Sequence, residues 1–241
     1  MNLPFFYTAP IPNGEYTTVL NEDNSKHIVQ VLRMKDGEQF KLTDGKGNLY
    51  TAAISDAHKR HCSVRIINHE QKPAPTDKVC MAVSPVKNTG RFEWFLEKAT
   101  EIGVSEIVPL ICTRTEKQHF RHERMNGILI SAMLQSQQTW LPVLQEAIKF
   151  EKYIAQINNE AANKYIAHCD EQEKISLREK LSQSSILDLT SSILLIGPEG
   201  DFTKEEITLA LQNTFIPVTL GETRLRTETA ALVAATLLCV H

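Results

Sequence analysis

The chain is short of several things that would have named a function quickly. Its cysteines are few and scattered: Cys62, Cys80, Cys112, Cys169 and Cys239 contain no Cys-x-x-Cys pair. That speaks against a zinc site or a disulfide framework and for reduced thiols in a cytosolic protein. No apolar run is long enough to span a bilayer. The N-terminus has no basic stretch leading into an apolar one, so no signal peptide is expected. There is no internal repeat and no low-complexity segment. A basic excess is also missing, with 26 Lys+Arg against 29 Asp+Glu and a net charge of −3. Proteins that grip RNA non-specifically are usually basic, so any RNA contact here must come from local patches and shape. The charge is only mildly uneven: residues 1–75 hold nine Lys+Arg against eight Asp+Glu.

What is present is an ordinary globular composition, 42% hydrophobic and 23% charged over 241 residues, enough for one or two domains with real cores. Two grammars follow one another. Residues 1–72 are short alternating runs punctuated by Asp36-Gly37, Asp44-Gly45 and Lys46-Gly47, with Cys62 to Ile66 alternating cleanly. They predict a small β-barrel with one helical turn near 24–33. Lys72-Pro73-Ala74-Pro75-Thr76 reads as a linker. From there to 241 the pattern is strand–helix–strand, so the fold class is α/β. Strands are expected at Val79–Val83, Ile107–Leu110, Lys164–His168 and Ile193–Ile196. Phe92, Phe95, Leu96 and Ala99 mark a helix that Gly103 can cap, and Met125 to Met133 mark another. Thr203 and Glu206 form a capping box for a helix over 204–212. The last helix, starting at Thr227 or Thr229, is apolar on every face and must be buried all round. One side of it is available to a second subunit, so a homodimer with this helix at the interface is expected; burial wholly within the chain is the plain alternative.

The most informative residues lie in two turns near the end. Ile193 to Ile196 is a buried strand broken by Gly197-Pro198-Glu199-Gly200-Asp201, and Leu220-Gly221 begins a second turn through Leu225-Arg226-Thr227-Glu228 to Ala230. Ligands in open α/β sheets bind outside such strand ends. Neither turn is Gly-x-Gly-x-x-Gly or carries Gly-Lys-Ser/Thr. Glu199 and Asp201 would repel a pyrophosphate. S-adenosylmethionine (AdoMet), a nucleoside with a sulfonium and no phosphate, suits them better, and glycines let the backbone approach it closely. Two tight turns with solvated carboxylates is the plain alternative.

These turns resemble the AdoMet motifs of the RsmE family, bacterial 16S ribosomal RNA uridine-N3 methyltransferases of the SPOUT class. Leu195 to Gly200, then Leu220-Gly221, then Leu225-Arg226-Thr227-Glu228-Thr229-Ala230 carry the resemblance. Lys98-Ala99-Thr100-Glu101-Ile102-Gly103, Ile107 to Leu110, Thr113-Arg114, His27 to Arg33 and Asp44 to Gly47 continue it in register along nearly the whole chain. The resemblance implies a trefoil knot in a SPOUT-type parallel-sheet domain over 77–241 and a PUA-like RNA-binding barrel over 1–72. It further implies a dimer, AdoMet as cofactor, no metal, and 16S rRNA, in the small ribosomal subunit, as substrate.

On that basis His168, Ile196, Gly197, Pro198, Glu199, Gly200, Leu220, Gly221, Leu225, Arg226, Thr227 and Ala230 are expected to form the cofactor site. Arg226 would stabilise charge on the uracil oxygen beside the attacking nitrogen. Glu199 or Glu228 would accept its proton. The plain alternative for Arg226 is an ion pair with Glu228 or Glu222. Arg33, Lys87, Arg91, Lys98 and Arg114 are the candidates for RNA contact. Two departures from the family stand out: no Arg lies within the first few residues, and Leu134-Gln135-Ser136-Gln137-Gln138 lacks the Glu and Arg that relatives often carry there. Two other classes stay open at this point. One is a non-catalytic RNA-binding or ribosome-assembly factor; the other is a nucleotide-dependent enzyme of ordinary doubly wound fold.

Overall fold

The alternating residues of the first seventy positions do build a sheet. In the computed structural model, which describes residues 3–12, 14, 16–116, 120–183 and 191–240, five strands form it. They are β1 (Phe5–Tyr7), β2 (Thr17–Val19), β3 (Gln39–Thr43), β4 (Asn48–Asp56) and β5 (Ser63–Gln71), in the order β1-β3-β4-β5-β2. Neighbours run antiparallel except β1 and β3. Phe40, Leu42, Ala52, Ile54, Cys62 and Val64 point to one buried core with Phe6 and Ile28. The helical turn is α1 (Glu22–Lys26), capped by Asn21, running into a π-helical turn over His27–Val31. Arg33 follows it at φ 56°, a left-handed position that an arginine occupies at a cost.

The chain divides into two compact units, 1–74 with 133–141, and 75–132 with 142–241. Nothing in the residue pattern signals that Met133–Leu141 groups with the first unit. Two backbone bonds hold it there, Gly47 N donating to Thr139 O at 2.8 Å and Leu141 N to Gly45 O at 2.9 Å. The Trp140 indole donates to Pro73 O at 2.9 Å. Gly47, at φ 85°, lets the Trp140 ring lie against the backbone; a Cβ there would meet the ring at 2.5 Å.

The second unit is an α/β layer structure, as its grammar predicts. Its strands are β6 (Lys78–Val83), β7 (Glu106–Ile111), β8 (Val143–Leu144), β9 (Ile148–Lys149), β10 (Asn163–Ala167), β11 (Ile175–Ser176), β12 (Ser191–Ile196) and β13 (Ile216–Thr219). Their order is β11-β13-β10-β12-β6-β7-β8, with β9 also on β7, and every pairing is parallel. Both faces of the central strands are buried, which is why they read as unbroken apolar runs. Cys80, Ala82, Ile193 and Leu195 face a core completed by Phe150, Ile154, Phe202 and Ile207. Met81, Val83, Leu194 and Ile196 are buried as well.

The helices are α2 (Thr89–Ile102), α3 (His122–Gln135), α4 (Phe150–Ile157), α5 (Leu177–Ser182), α6 (Lys204–Gln212) and α7 (Thr227–Cys239). Gly103 ends α2 at φ 101° and the Thr203–Glu206 capping box starts α6, both as expected. Helix α4 was not anticipated, although Phe150, Tyr153, Ile154 and Ile157 bury one stripe of it. Helix α7 packs on α2, β6 and β12. It is not buried all round within the chain: Ala231, Ala234, Ala235 and Leu238 are covered, while Leu232, Val233 and Leu237 are only partly so. Among the described residues no helix is long and apolar enough to cross a membrane.

Candidate active site

Three parallel strands, β10, β12 and β13, end side by side, and the chain leaves each in a turn. A pocket of about 740 Å³ opens there. It brings together His168, Ile196, Gly197, Pro198, Glu199, Leu220, Gly221, Leu225, Arg226, Thr227, Glu228 and Ala230, so eleven of the twelve cofactor-site candidates and all three catalytic candidates line one cavity. The exception is Gly200. It lies off the lining, where its carbonyl accepts from Arg114 Nη1 at 2.7 Å. The Arg114 side chain packs so close that a Cβ on Gly200 would meet it at 3.3 Å.

The two turns are tied to each other and to their surroundings. Thr227 Oγ1 donates to Gly197 O at 3.1 Å in a buried bond. Glu199 Oε1 accepts from Lys87 N at 2.9 Å. Asp201, left-handed at φ 63°, takes Cys169 N on one carboxylate oxygen and Phe202 N on the other. Behind the first turn, the buried Glu206 carboxylate accepts from Thr113 N, Thr113 Oγ1 and Thr203 N. Donors on Thr227, Lys87 and Cys169, remote from one another in sequence, thus hold the turn, and such satisfied polar networks fix one geometry.

Glycine serves differently in the two turns. At Gly197 the backbone is not left-handed; the tightness comes from Phe202, whose ring atoms and N would stand 3.1–3.2 Å from a Cβ. At Gly221 the neighbourhood is open, but φ is 144°.

The electrostatics of the lining are balanced. Glu199, Asp201, Glu222 and Glu228 face Arg91, Lys174, Arg224 and Arg226. This suits a ligand carrying both signs and does not resemble a polyphosphate cradle. Glu228 is buried in the first turn of α7 and lies 3.6 Å from Arg91. Arg226, exposed at the N-cap of α7, forms no ion pair within 4.0 Å among the described residues, so the ion-pair alternative is not what the structure has. His168 is 7% exposed, and among the described residues neither ring nitrogen has a hydrogen-bond partner. Burial, with Lys174 adding to it, pushes its pKa below the usual imidazole range. Lys174 bonds the carbonyls of His168 and Asp170.

Comparison with known proteins decides the family. The RNA methyltransferase domain family matches residues 72–239 and the RNA methyltransferase PUA domain family residues 20–67. Ribosomal RNA small subunit methyltransferase E of Rickettsia conorii is 30% identical over 89% of this chain and 86% of its own. The chain belongs to the small subunit methyltransferase E family. A probable rRNA-methyltransferase from Porphyromonas gingivalis has 38% identity and a TM-score of 0.87, covering 98% of each chain. The family E enzyme of Neisseria gonorrhoeae, solved with S-adenosyl methionine bound, has 27% identity and a TM-score of 0.84, covering 98% of this chain and 96% of its own.

In this methyltransferase E chain the basic candidates separate. Arg91 lines the pocket. Lys87 Nζ pairs with Glu116, and Lys98 Nζ with both Glu97 and Glu101. Arg114 braces the first turn through Gly200 O and Phe202 O. Arg33, exposed, belongs to the first unit. The sequence reading missed Cys169, Lys174, Val218 and Thr219 on the lining. The signal for Lys174 is absent from any motif, since it reaches the pocket only through the fold of the loop after β10.

Proposed function

We propose that this chain is an AdoMet-dependent methyltransferase that modifies N3 of a uridine in 16S rRNA. It works in the cytoplasm as a homodimer on the small ribosomal subunit. The observation that carries the reading is the pocket at the ends of β10, β12 and β13, with a charge-balanced lining in a chain of the methyltransferase E family. The pocket residues fit AdoMet: the unpartnered His168 nitrogens offer a buried polar contact, and Ile196, Gly197 and Leu220 at the strand ends line the cavity.

When bound, AdoMet supplies an electrophilic methyl carbon on its sulfonium. The chain's own residues do the rest. The Thr227–Gly197 bond sets the spacing of the two walls, and positioning of this kind accounts for much of the acceleration in a displacement reaction. Arg226, at the rim and free of carboxylates, is placed to offset negative charge on the uracil oxygen. Glu228, with its charge compensated by Arg91, and Glu199, anchored by the Lys87 amide, are the two carboxylates able to take the N3 proton. Arg33, Lys87, Arg91, Lys98 and Arg114 are the basic candidates for RNA contact, and among the described residues Arg33 is exposed and in no ion pair within 4.0 Å.

The dimer is supported by the half-open apolar face of α7, where Leu232, Val233 and Leu237 lead to Val240, 60% exposed. Family membership supports a trefoil knot in 77–241 and a small PUA-like β-barrel in 1–72. Mapping methylated bases in 16S rRNA from a deletion strain and its parent tests the proposal, and an identical map would end it. Calorimetry with AdoMet, NAD and ATP tests the cofactor separately.

A further inference from the structure

The chain contains one run of four consecutive cationic or titratable basic residues, His58-Lys59-Arg60-His61. It forms the tip between β4 and β5, and all four residues are exposed. Lys26, Lys72, Lys87, Arg91, Lys98 and Arg124 each find a carboxylate, whereas among the described residues none of these four enters an ion pair within 4.0 Å. Arg60 and His61 act on the carboxylate of Glu22. Lys26 first, then Arg60 and His61, hold its pKa below the usual range, but its oxygen is already bonded to Lys26 at 2.7 Å. Concentrating uncompensated charge on one turn of an acidic chain adds self-repulsion and contributes nothing to packing.

The tip is also held in place. Ala57 N donates to Asp36 Oδ1 at 2.8 Å, and Cys62 N to the buried Ser25 Oγ at 3.0 Å. Cys62 O accepts from Leu20 N at 3.0 Å, so both ends of the tip are pinned. Within it the imidazoles of His58 and His61 stack, centroids 5.5 Å apart and 4° from parallel. His58 Nδ1 accepts from Arg60 N at 3.3 Å, which leaves Nε2–H as the outward donor of the neutral ring.

We propose that this tip is a docking point for the phosphate backbone of the RNA substrate, separate from the pocket in the second unit. A pinned cluster of Lys, Arg and imidazole donors matches phosphate oxygens and loses little freedom on binding. The tip falls inside the segment that matches the RNA methyltransferase PUA domain family. The proposal rests on the reading of the chain as an rRNA methyltransferase, and it names where the acidic substrate is gripped by a protein of net charge −3.

The test uses full-length protein carrying Lys59→Ala/Arg60→Ala or Lys59→Glu/Arg60→Glu. Small subunits from a strain lacking the activity, and a 16S rRNA transcript, are the probes. The charge-swapped variant is expected to raise KM for subunits at least tenfold with kcat, AdoMet Kd and Tm unchanged. Its log affinity against log salt should flatten by roughly 1.4–1.8, the loss of two phosphate contacts. An unchanged KM and salt slope would overturn the proposal. So would normal binding of the transcript with weakened binding of subunits, which would place a ribosomal protein on the tip. If wild type methylates neither probe, the enzymatic reading fails; transcript binding by wild type and its loss in the variants would still uphold the tip.

Discussion

Thr227→Val tests whether the two turns are one structure. The swap keeps the shape and the β-branching at the first residue of α7, where the two residues have similar helix propensity, so the change isolates one hydroxyl. That hydroxyl donates to Gly197 O at 3.1 Å, with Thr227 only 6% exposed. Removing it leaves a buried carbonyl unpaired, at a cost of about 1–3 kcal/mol. In a protein of this size each kcal/mol moves Tm by about 2–4 °C, so the ligand-free variant should melt roughly 2–12 °C lower. The bond also fixes the spacing of the pocket's walls. Each ~1.4 kcal/mol lost from the binding-competent arrangement raises the AdoMet Kd tenfold. Thr227→Ser retains the donor and should recover most of both losses. Differential scanning calorimetry and AdoMet titration read the two quantities. If the valine variant matches wild type in both, the turns are independent and the account of the site is wrong.

Gly197→Val drives a side chain into the Phe202 ring and backbone, with a stability loss of about 1–3 kcal/mol from overpacking and a larger loss of AdoMet affinity; a folded variant with wild-type affinity would remove Gly197 from the site. Arg226→Ala should slow methyl transfer by about 2.7–4 kcal/mol of barrier while AdoMet Kd moves little, and single-turnover kinetics beside calorimetry will show whether the split exists. Leu237→Glu puts a carboxylate on the half-open face of α7 and should abolish dimer and activity together, as sedimentation and a methyl-transfer assay can report; a fully active monomer would separate them. Burial holds the folded pKa of His168 down, so as pH falls below about 6.5 the unfolded chain takes up the proton first. The stability present above that pH drains away as pH falls toward the depressed folded value, by at most ~1.4 kcal/mol per pH unit. His168→Asn should flatten Tm against pH between 6.5 and 5, and an unchanged slope would show that His168 charges freely.

Local signals carried much of this structure. Apolar runs placed β6, β7 and β12 within a residue or two, and Thr203 with Glu206 and the lone Gly103 marked helix ends because capping is chemistry between near neighbours. Helix α4 was equally legible in Phe150, Tyr153, Ile154 and Ile157, at helical spacing, and was overlooked. What pattern could not supply is pairing. No local feature puts β12 beside β6, or Thr139 against Gly47, since backbone hydrogen bonds carry no side-chain code. The site divides the same way. The two turns stood out because their residues serve no core. Glu228 with Arg91, and Glu206 with Thr113, join residues far apart in sequence, and only the fold reveals them. Gly200 shows the same thing: it lies off the pocket lining, and its neighbour is Arg114, 86 residues before it.

The pairing of β6 with β12 has a consequence for the birth of the protein. Strand β6 leaves the ribosome with one edge soon covered by β7, but its other edge waits for β12, about 110 residues later. At ~5–20 residues per second that is roughly 6–22 s of synthesis with an apolar strand edge bare in the nascent chain. The central seam of the catalytic unit therefore closes late, and α7, whose first turn completes the pocket, is translated later still. A truncated chain that stops short of β12 keeps that edge permanently open, and bare edges of this kind recruit other strands. Ribosome stalling before residue 191 should hence yield aggregates, not a shortened but orderly domain.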